Sequence, residues 1–127
     1  MDASDSSISA PTSVHRIGGA SLENLRLKSK ERTLDLPGIS VFLGGTPQEA
    51  AQLMRTTFPN ATRLSAAAEQ VATSTVGEIW RAGFDIFVAP TRYFPNHARL
   101  IHADGAIGFS DENLLRLAQV FRTTTGT

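Results

Sequence analysis

Apolar residues occur in short clusters separated by Gly, Pro and polar residues, a pattern that predicts many short elements. The segment "GISVFL" has β-branched and aromatic residues between Pro37 and the pair Gly44-Gly45, which predicts a strand. The segment "FDIFVAPT", residues 84–91, is nearly all apolar, the pattern of a strand that is covered on both faces. Weaker patterns predict a short strand at 14–17 and another in "HARLIHA", residues 97–103.

Four helices are predicted from capping residues and from apolar spacing near 3.6 residues. The clearest begins in "TPQEAAQLM", where Thr46 can cap, Pro47 suits the first helical position, and Glu49 completes a capping box. The other three, given by their predicted caps and ends, run from Asn60 to Val71, from Thr75 to Gly83 and from Ser110 to Phe121. Residues 21–36 hold no single period and predict a turn or short strand followed by a charged loop.

The chain has 127 residues, a length that fits one domain. Residues 1–13 are small and polar, so a disordered leader or linker is expected there. Residues 14–123 are expected to form a single α+β domain with a small mixed or antiparallel sheet, because the strands and helices lack a regular βαβ alternation. Residues 124–127 are expected to fray.

Composition excludes several classes of protein. The chain has no cysteine, which excludes disulfides, zinc thiolate sites and a cysteine nucleophile. Twelve basic and twelve acidic residues cancel, so general nucleic-acid binding is not expected. No apolar run is long enough for a transmembrane helix, and the acidic, Ser-rich start does not resemble a secretory signal. Synthesis and folding in the cytosol are therefore expected, with no membrane partner.

The strand "HARLIHA" carries the first candidate chemistry. His97 and Arg99 share one face of a strand, whereas His102 faces the other way, so a metal site is not expected. His97 and Arg99 together could hold a phosphate, since Arg offers a bidentate fork and His a single donor. The alternative is that both belong to the polar outer face of an edge strand.

Two further strands carry polar residues in an apolar setting. In "VHRIGG", His15 and Arg16 precede a double glycine that lets a ligand approach the backbone, although both could equally be solvated edge residues. In "GISVFLGG", Ser40 shares a face with Phe42. The Ser40 hydroxyl either bonds to backbone or acts as a nucleophile, but the sequence lacks the G-x-S-x-G turn.

The loop "TRYFPN" follows a predicted buried strand and contains Arg92, Tyr93, Phe94 and Asn96. Loops mounted on rigid strands often hold sites, and a Tyr or Phe ring can stack on a flat ligand. The alternative is that Tyr93 and Phe94 close the end of the core.

The order "VHRIGG", then "PGISVF" leading into a helix, then two later strands, resembles that of ADP-ribosyltransferase-like bacterial toxins, of the type delivered by type VI secretion systems. In that family an Arg or His on the first strand contacts NAD, and a Ser or Thr lies on a second strand before a helix. The resemblance places His15 or Arg16 at the first position and Ser40 at the second. The family's last polar position, commonly a Glu, has no clear match, and Glu112 and His97 are its two candidates.

The resemblance implies a transferase that uses NAD and no metal. Arg16 or Arg99 would contact the pyrophosphate, and Tyr93 or Phe42 would stack on the nicotinamide. It also implies delivery into a target cell without a classical signal peptide, and an immunity or chaperone protein as partner. The catalytic candidates are His15, Ser40, His97 and Glu112, and the cofactor-binding candidates are Arg16, Phe42, Arg92, Tyr93, Asn96 and Arg99.

Two other functions compete with this one. The chain could be a protein-interaction domain of a larger secreted protein, since the polar leader resembles a linker. It could also be a metal-free ribonuclease that uses His97, Arg99 and His102, although His97 and His102 face opposite ways unless the strand is bulged. A transferase requires its polar candidates to converge in one cleft, whereas an interaction domain would scatter them and expose an apolar patch.

Overall fold

The computed structural model describes residues 9–125, with the side chains of 63–65 and 125 left out. The rest of the predicted leader, residues 1–8, and the end of the predicted tail, residues 126–127, lie outside the described residues. The strands are β1 Ser13–Ile17, β2 Gly38–Leu43, β3 Gln70–Thr75, β4 Asp85–Val88, β5 His97–Ile101 and β6 Arg122–Thr125. The helices are α1 Leu22–Leu25, α2 Ser29–Arg32, α3 Pro47–Thr57, α4 Thr62–Ala67, α5 Val76–Arg81 and α6 Asp111–Ala118, with a 3₁₀ turn at Gly105–Gly108. This confirms the predicted α+β class.

The six strands form one antiparallel sheet in the order β4-β5-β2-β1-β3-β6. One face, here called the first face, packs against α1, α5 and α6 through Leu25, Ile79 and Leu114. The opposite, second face is covered in part by α3, whose Ala51 and Met54 pack there. None of the helices in the described part of the chain is both long and apolar enough to cross a membrane.

The sheet separates on one side of β1. All five residues of β1 pair with β3, but β1 pairs with β2 at Val14↔Leu43 and His15↔Phe42. Beyond His15 no residue of β1 is paired with β2 in the described part of the chain. The side chain of Arg16 instead donates a hydrogen bond to a backbone carbonyl oxygen of β2. The gap between the two strands is where a cavity opens.

Capping chemistry places three of the helices as predicted. Thr46 Oγ1 accepts from the Glu49 N–H at 3.1 Å, and Glu49 Oε1 accepts from the Thr46 N–H at 2.8 Å, so the predicted capping box is confirmed. The hydroxyls of Thr75 and Ser110 likewise cap α5 and α6. These signals are local, and local hydrogen bonds are what capping residues supply.

One predicted helix end was wrong, and a strand lies where the end of that helix was predicted. The helix predicted from Asn60 to Val71 ends at Ala67, and β3 begins at Gln70. β3 lies between β1 and β6, and its consecutive residues Val71 and Ala72 are fully buried in the cores on opposite faces. The tertiary partners on both sides therefore outweigh the helical spacing of the apolar residues.

Residues 21–36 form α1 and α2 instead of the predicted turn or strand and loop. The Ser21 hydroxyl caps α1 by accepting from the Asn24 N–H at 3.2 Å, and Leu25 is fully buried. Both helices are a single turn, too short for periodicity to reveal them.

The positions of the outer strands also differ from expectation. The apolar segment at 84–91 contains β4, which is an edge strand with Phe87 and Val88 exposed, so its predicted coverage on both faces was wrong. The weaker segment contains β5, which lies between β4 and β2 and is not an edge. At the chain end, β6 pairs with β3, and at the start Ala10 O and Thr12 O accept backbone N–H groups of α5.

Candidate functional site

A cavity of about 510 Å³ opens beside the gap between β1 and β2. Its volume lies within the range of roughly 300–1,000 Å³ that is usual for small-molecule sites. Its lining contains polar and aromatic side chains as well as the apolar residues Ile17, Met54 and Ala67. The polar ones are Arg16, Asn24, Lys28, Ser40, Thr91 and His97, and the aromatic ones are Phe42, Phe58, Tyr93 and Phe94.

Arg16 supplies a buried cation to this cavity. Its residue is 7% exposed, Nη1 donates to the carbonyl oxygen of Ser40 at 2.8 Å, and Nη2 donates to that of Asn24 at 2.7 Å. Nε has no hydrogen-bond partner, and no carboxylate forms an ion pair with Arg16 among the described residues. Burial lowers the pKa of the guanidinium from its usual value, and the charge of Glu31 opposes this, but an Arg remains protonated in proteins.

The aromatic side chains form one continuous group on the second face. The ring of Phe42 lies edge-on to that of Phe94, with centroids 5.1 Å apart, and Phe94 contacts Phe58 at 5.8 Å. Tyr93 meets Phe58 at 6.5 Å and is 60% exposed, so it stands at the outer end of the group. These rings supply apolar area and ring faces on which a flat ligand can pack.

His97 lies next to this group. Its residue is 7% exposed, and its ring is edge-on to Phe42 with centroids 5.7 Å apart. Its Nδ1 lies 2.8 Å from the carbonyl oxygen of Ala89. His97 is opposite Phe42 in the pairing of β5 with β2, and Ser40 lies two residues further along β2.

The balance of charge in the cavity is positive. Lys28, an exposed residue at the start of α2, joins Arg16 among the lining residues. None of the described residues that line the cavity carries a carboxylate. The cavity therefore combines a cationic region with apolar ring surface, an arrangement that suits an anion attached to an aromatic group.

Five of the sequence-predicted site residues meet in this cavity: Arg16, Ser40, Phe42, Tyr93 and His97. They come from β1, β2, β5 and the loop before β5, so chain proximity does not explain their meeting. The predicted alternation of β5 is confirmed as well, because His97 faces Phe42 while the ring of His102 packs on Phe84 of the first-face core. His97 and His102 are therefore not brought together, as a ribonuclease using both would require.

His15 lies elsewhere and is fully buried. Its Nε2 donates to the carbonyl oxygens of Gly44 and Gly45 at 3.0 and 3.1 Å, so its Nδ1 can accept from the Thr73 hydroxyl at 2.8 Å. Gly44 and Gly45 have φ of 78° and 73°, a conformation that glycine adopts without strain. His15 thus holds a glycine turn at the end of β2, and the structure does not place it among the cavity residues.

The remaining candidates also lie outside the lining residues. Arg92 stacks over the Tyr93 ring at 5.5 Å, and Asn96 Nδ2 donates to the Leu43 carbonyl oxygen at 3.2 Å. Arg99 is half-buried and lies opposite Ser40 and Phe87 in the sheet. Glu112 is exposed in the first turn of α6, which packs on the first face, and it pairs with Arg116.

Sequence reasoning missed several cavity residues. Lys28 and Asn24 lie in a segment with no clear period, and Phe58 follows the end of α3. No pattern in the sequence singles out these residues, since Phe58 lies between two predicted helices. Within the described residues, no group of three or more His, Cys, Asp or Glu side chains is arranged to hold a metal ion.

Comparisons of the chain with protein-family models, with curated proteins and with solved structures give no match.

We expect His15 to make folding stability depend on pH. Burial lowers the pKa of its imidazole, and this outweighs the Gly45 and Gly44 carbonyls and Glu49, which raise it. Below the unfolded-state pKa of about 6.5, the unfolded chain binds a proton that the folded chain does not, so stability falls on acidification by at most about 1.4 kcal/mol per pH unit. Urea unfolding of wild type and His15→Gln between pH 8 and pH 5 should show a shallower decline for the variant. Parallel curves would contradict this role, since the two proteins differ only at position 15.

Proposed function

We propose that the cavity between β1 and β2 binds a nucleotide, and that NAD, the molecule implied by the resemblance to ADP-ribosyltransferase-like toxins, is its first candidate. The observation that carries the proposal is the buried Arg16 cation, which has no ion-pair partner among the described residues and lies at the edge of an aromatic cavity. Removing a cation from water is costly unless it is paired. An anionic group of a ligand would supply the missing partner.

The spacing of residues along β2 fits a ligand in which a sugar joins a phosphate to a ring. Arg16 bonds to β2 at Ser40, and the ring of Phe42 marks the aromatic part of the cavity two residues away. Two residues of a strand span about 7 Å. A nucleotide places its phosphate and its base on opposite sides of a ribose, so the phosphate could lie by Arg16 and Lys28 while the base packs on the rings.

The residues fit the binding of NAD better than they fit the transfer of its ADP-ribosyl group. Arg16 and Lys28 suit the pyrophosphate, and Phe42 and Tyr93 suit a flat ring. NAD would supply an ADP-ribosyl group attached to a nicotinamide leaving group. The Glu that the family commonly uses has no counterpart in the cavity, because Glu112 lies on α6 at the first face. Of the candidates for that position, His97 is the one that lines the cavity.

Transfer activity, action as a toxin inside a target cell, and an immunity or chaperone partner belong to the same proposal. They depend on the cavity holding NAD. A second candidate function, a protein-interaction domain, is favoured by the exposed apolar side chains of Phe87 and Val88 on the edge strand β4.

Calorimetric titration with NAD, AMP and adenosine tests the proposal directly. We expect NAD and AMP to bind, and adenosine to bind about 10- to 100-fold more weakly because it lacks the charged phosphate. Incubation of the protein with NAD and candidate acceptor proteins, followed by analysis for free nicotinamide, reports whether the bond to nicotinamide is broken and the ADP-ribosyl group is transferred. Absence of binding by all three would remove the nucleotide proposal and leave the interaction domain. Binding of NAD without nicotinamide release would retain a nucleotide site and remove the transferase.

A further inference from the structure

His97 is held in one tautomer by the backbone. Its Nδ1 lies 2.8 Å from the carbonyl oxygen of Ala89, the residue that follows β4. A carbonyl oxygen only accepts hydrogen bonds, so Nδ1 must carry the proton. In the neutral imidazole, Nε2 then has a lone pair and acts as an acceptor.

This acceptor is available to a ligand. Among the described residues, none forms a hydrogen bond with His97 Nε2. The structure contains one buried side-chain polar atom without a partner in its described part, Nε of Arg16, so Nε2 of His97 is not sealed from the open space. His97 lines the cavity and its Nδ1 is bonded to Ala89, so Nε2 is the ring nitrogen that remains for a ligand beside the ring of Phe42.

The other polar groups near the rings are less selective. The hydroxyls of Ser40 and Tyr93 also line the cavity, and a hydroxyl can rotate either to donate or to accept. The lone pair of His97 has no such freedom while Nδ1 stays bonded to Ala89. A ligand ring that offers N–H to it gains a hydrogen bond, and a ring that offers a lone pair or only C–H does not.

We infer that His97 selects nucleotides whose base carries an amino group, such as a 6-aminopurine, and that its Nε2 accepts a hydrogen bond from that group. The inference rests on the proposed function, because it concerns the base of a nucleotide whose phosphate lies by Arg16. It goes further by naming the class of base and the atom that recognises it. The position of His97 opposite Phe42, two residues along β2 from Ser40, places the acceptor at the aromatic part of the cavity.

A pair of nucleotides that differ by one amino group provides the test. AMP carries the 6-amino group, and purine riboside 5′-monophosphate has hydrogen in its place, while the sugar and the phosphate are the same. Calorimetric titrations at pH 8 compare the two nucleotides. We expect wild-type protein to bind AMP about 5- to 10-fold more tightly, the value of one net hydrogen bond.

Two substitutions test whether His97 is the residue that causes the preference for AMP. In His97→Asn the amide can still donate to the Ala89 carbonyl oxygen but is too short to reach the place of Nε2, so the preference for AMP over purine riboside 5′-monophosphate should vanish. In His97→Gln the longer amide can again place an oxygen in the cavity, so part of the preference should return. Thermal unfolding followed by circular dichroism checks that each variant is folded. If neither is folded, the wild-type preference decides the question alone.

The outcomes separate the two proposals. Equal binding of both nucleotides by wild type would overturn the role of His97 and leave the nucleotide site standing. A full preference retained in folded His97→Asn would also overturn it, because another acceptor would then be responsible. If neither nucleotide binds wild-type protein, the proposed function fails, and the role of His97 fails with it.

Discussion

Replacing Arg16 with methionine should weaken the binding of AMP and of NAD by about 10- to 100-fold, the loss expected when a charged hydrogen-bond donor to phosphate is removed. Arg16 lies at the cavity, and its positive charge has no ion-pair partner among the described residues. Methionine keeps an unbranched apolar stem of similar reach but carries no charge. Calorimetric titration measures the affinities.

The same substitution also removes two hydrogen bonds that hold the gap between the strands. Arg16 donates to the carbonyl oxygens of Ser40 and Asn24, and each carbonyl left without a donor costs about 1–3 kcal/mol of stability. Relief of the buried charge offsets part of this cost. Urea unfolding therefore accompanies the titrations, so that weak binding is not mistaken for unfolding.

Arg99→Met is the matched control for Arg16→Met. Arg99 lies on β5 opposite Ser40, is half-buried and does not line the cavity. The sequence alone left Arg16 and Arg99 as equal candidates for the pyrophosphate. We expect affinities within about twofold of wild type for Arg99→Met, the usual limit for a substitution away from the ligand. A large loss for Arg99→Met with none for Arg16→Met would move the phosphate to the open part of the second face.

Replacing Leu100 with alanine should destabilise the protein by about 2–5 kcal/mol, the usual cost of deleting a buried leucine side chain. Leu100 is fully buried at the centre of β5, between Ile39 of β2 and Ile86 of β4. A domain of this size has a total stability of about 5–15 kcal/mol, so the loss is a large fraction of it. Urea unfolding followed by tryptophan fluorescence or circular dichroism measures the change.

Val88→Ala provides the comparison for Leu100→Ala. Val88 lies on the edge strand β4 and is 40% exposed, so its truncation should cost less than about 1 kcal/mol. If the two substitutions cost the same, β4 would be covered as fully as β5. That result would contradict the exposure of Val88 and restore the sequence-based picture of residues 84–91 as a strand that is covered on both faces.

Local chemistry accounts for the parts of the fold that could be predicted. The Thr46 capping box, the caps at Thr75 and Ser110, and the strand between Pro37 and Gly44 all depend on contacts between residues a few positions apart. The sequence signals for these features lie within one short window. The same windows could not reveal that β4 is an edge and β5 is not, because hydrophobicity reports burial and not the order of strands.

The sequence predicted the types of residue in the candidate site better than it predicted which particular residues line the cavity. Alternation along the strands placed Ser40 with Phe42 and separated His97 from His102, and both relations hold in the structure. The neighbouring strand decides whether a polar side chain reaches the cavity or forms hydrogen bonds with backbone groups. His15 and Arg16 are adjacent in the chain, yet one holds the turn at Gly44-Gly45 and the other enters the cavity.

By itself the sequence determined the α+β class, the caps of three helices and the faces on which the strand residues lie, because hydrogen-bonding preferences and the two-residue period of a strand act locally. The tertiary structure decided the order of the strands, the formation of β3 at residues 70–75, whose first two residues had been predicted as the end of a helix, and the separation of β1 from β2 beyond His15. These depend on contacts between residues far apart in the chain, such as Arg16 with the Ser40 carbonyl. Such contacts form only when the sheet is assembled, and the cavity that carries the proposed function exists because of them.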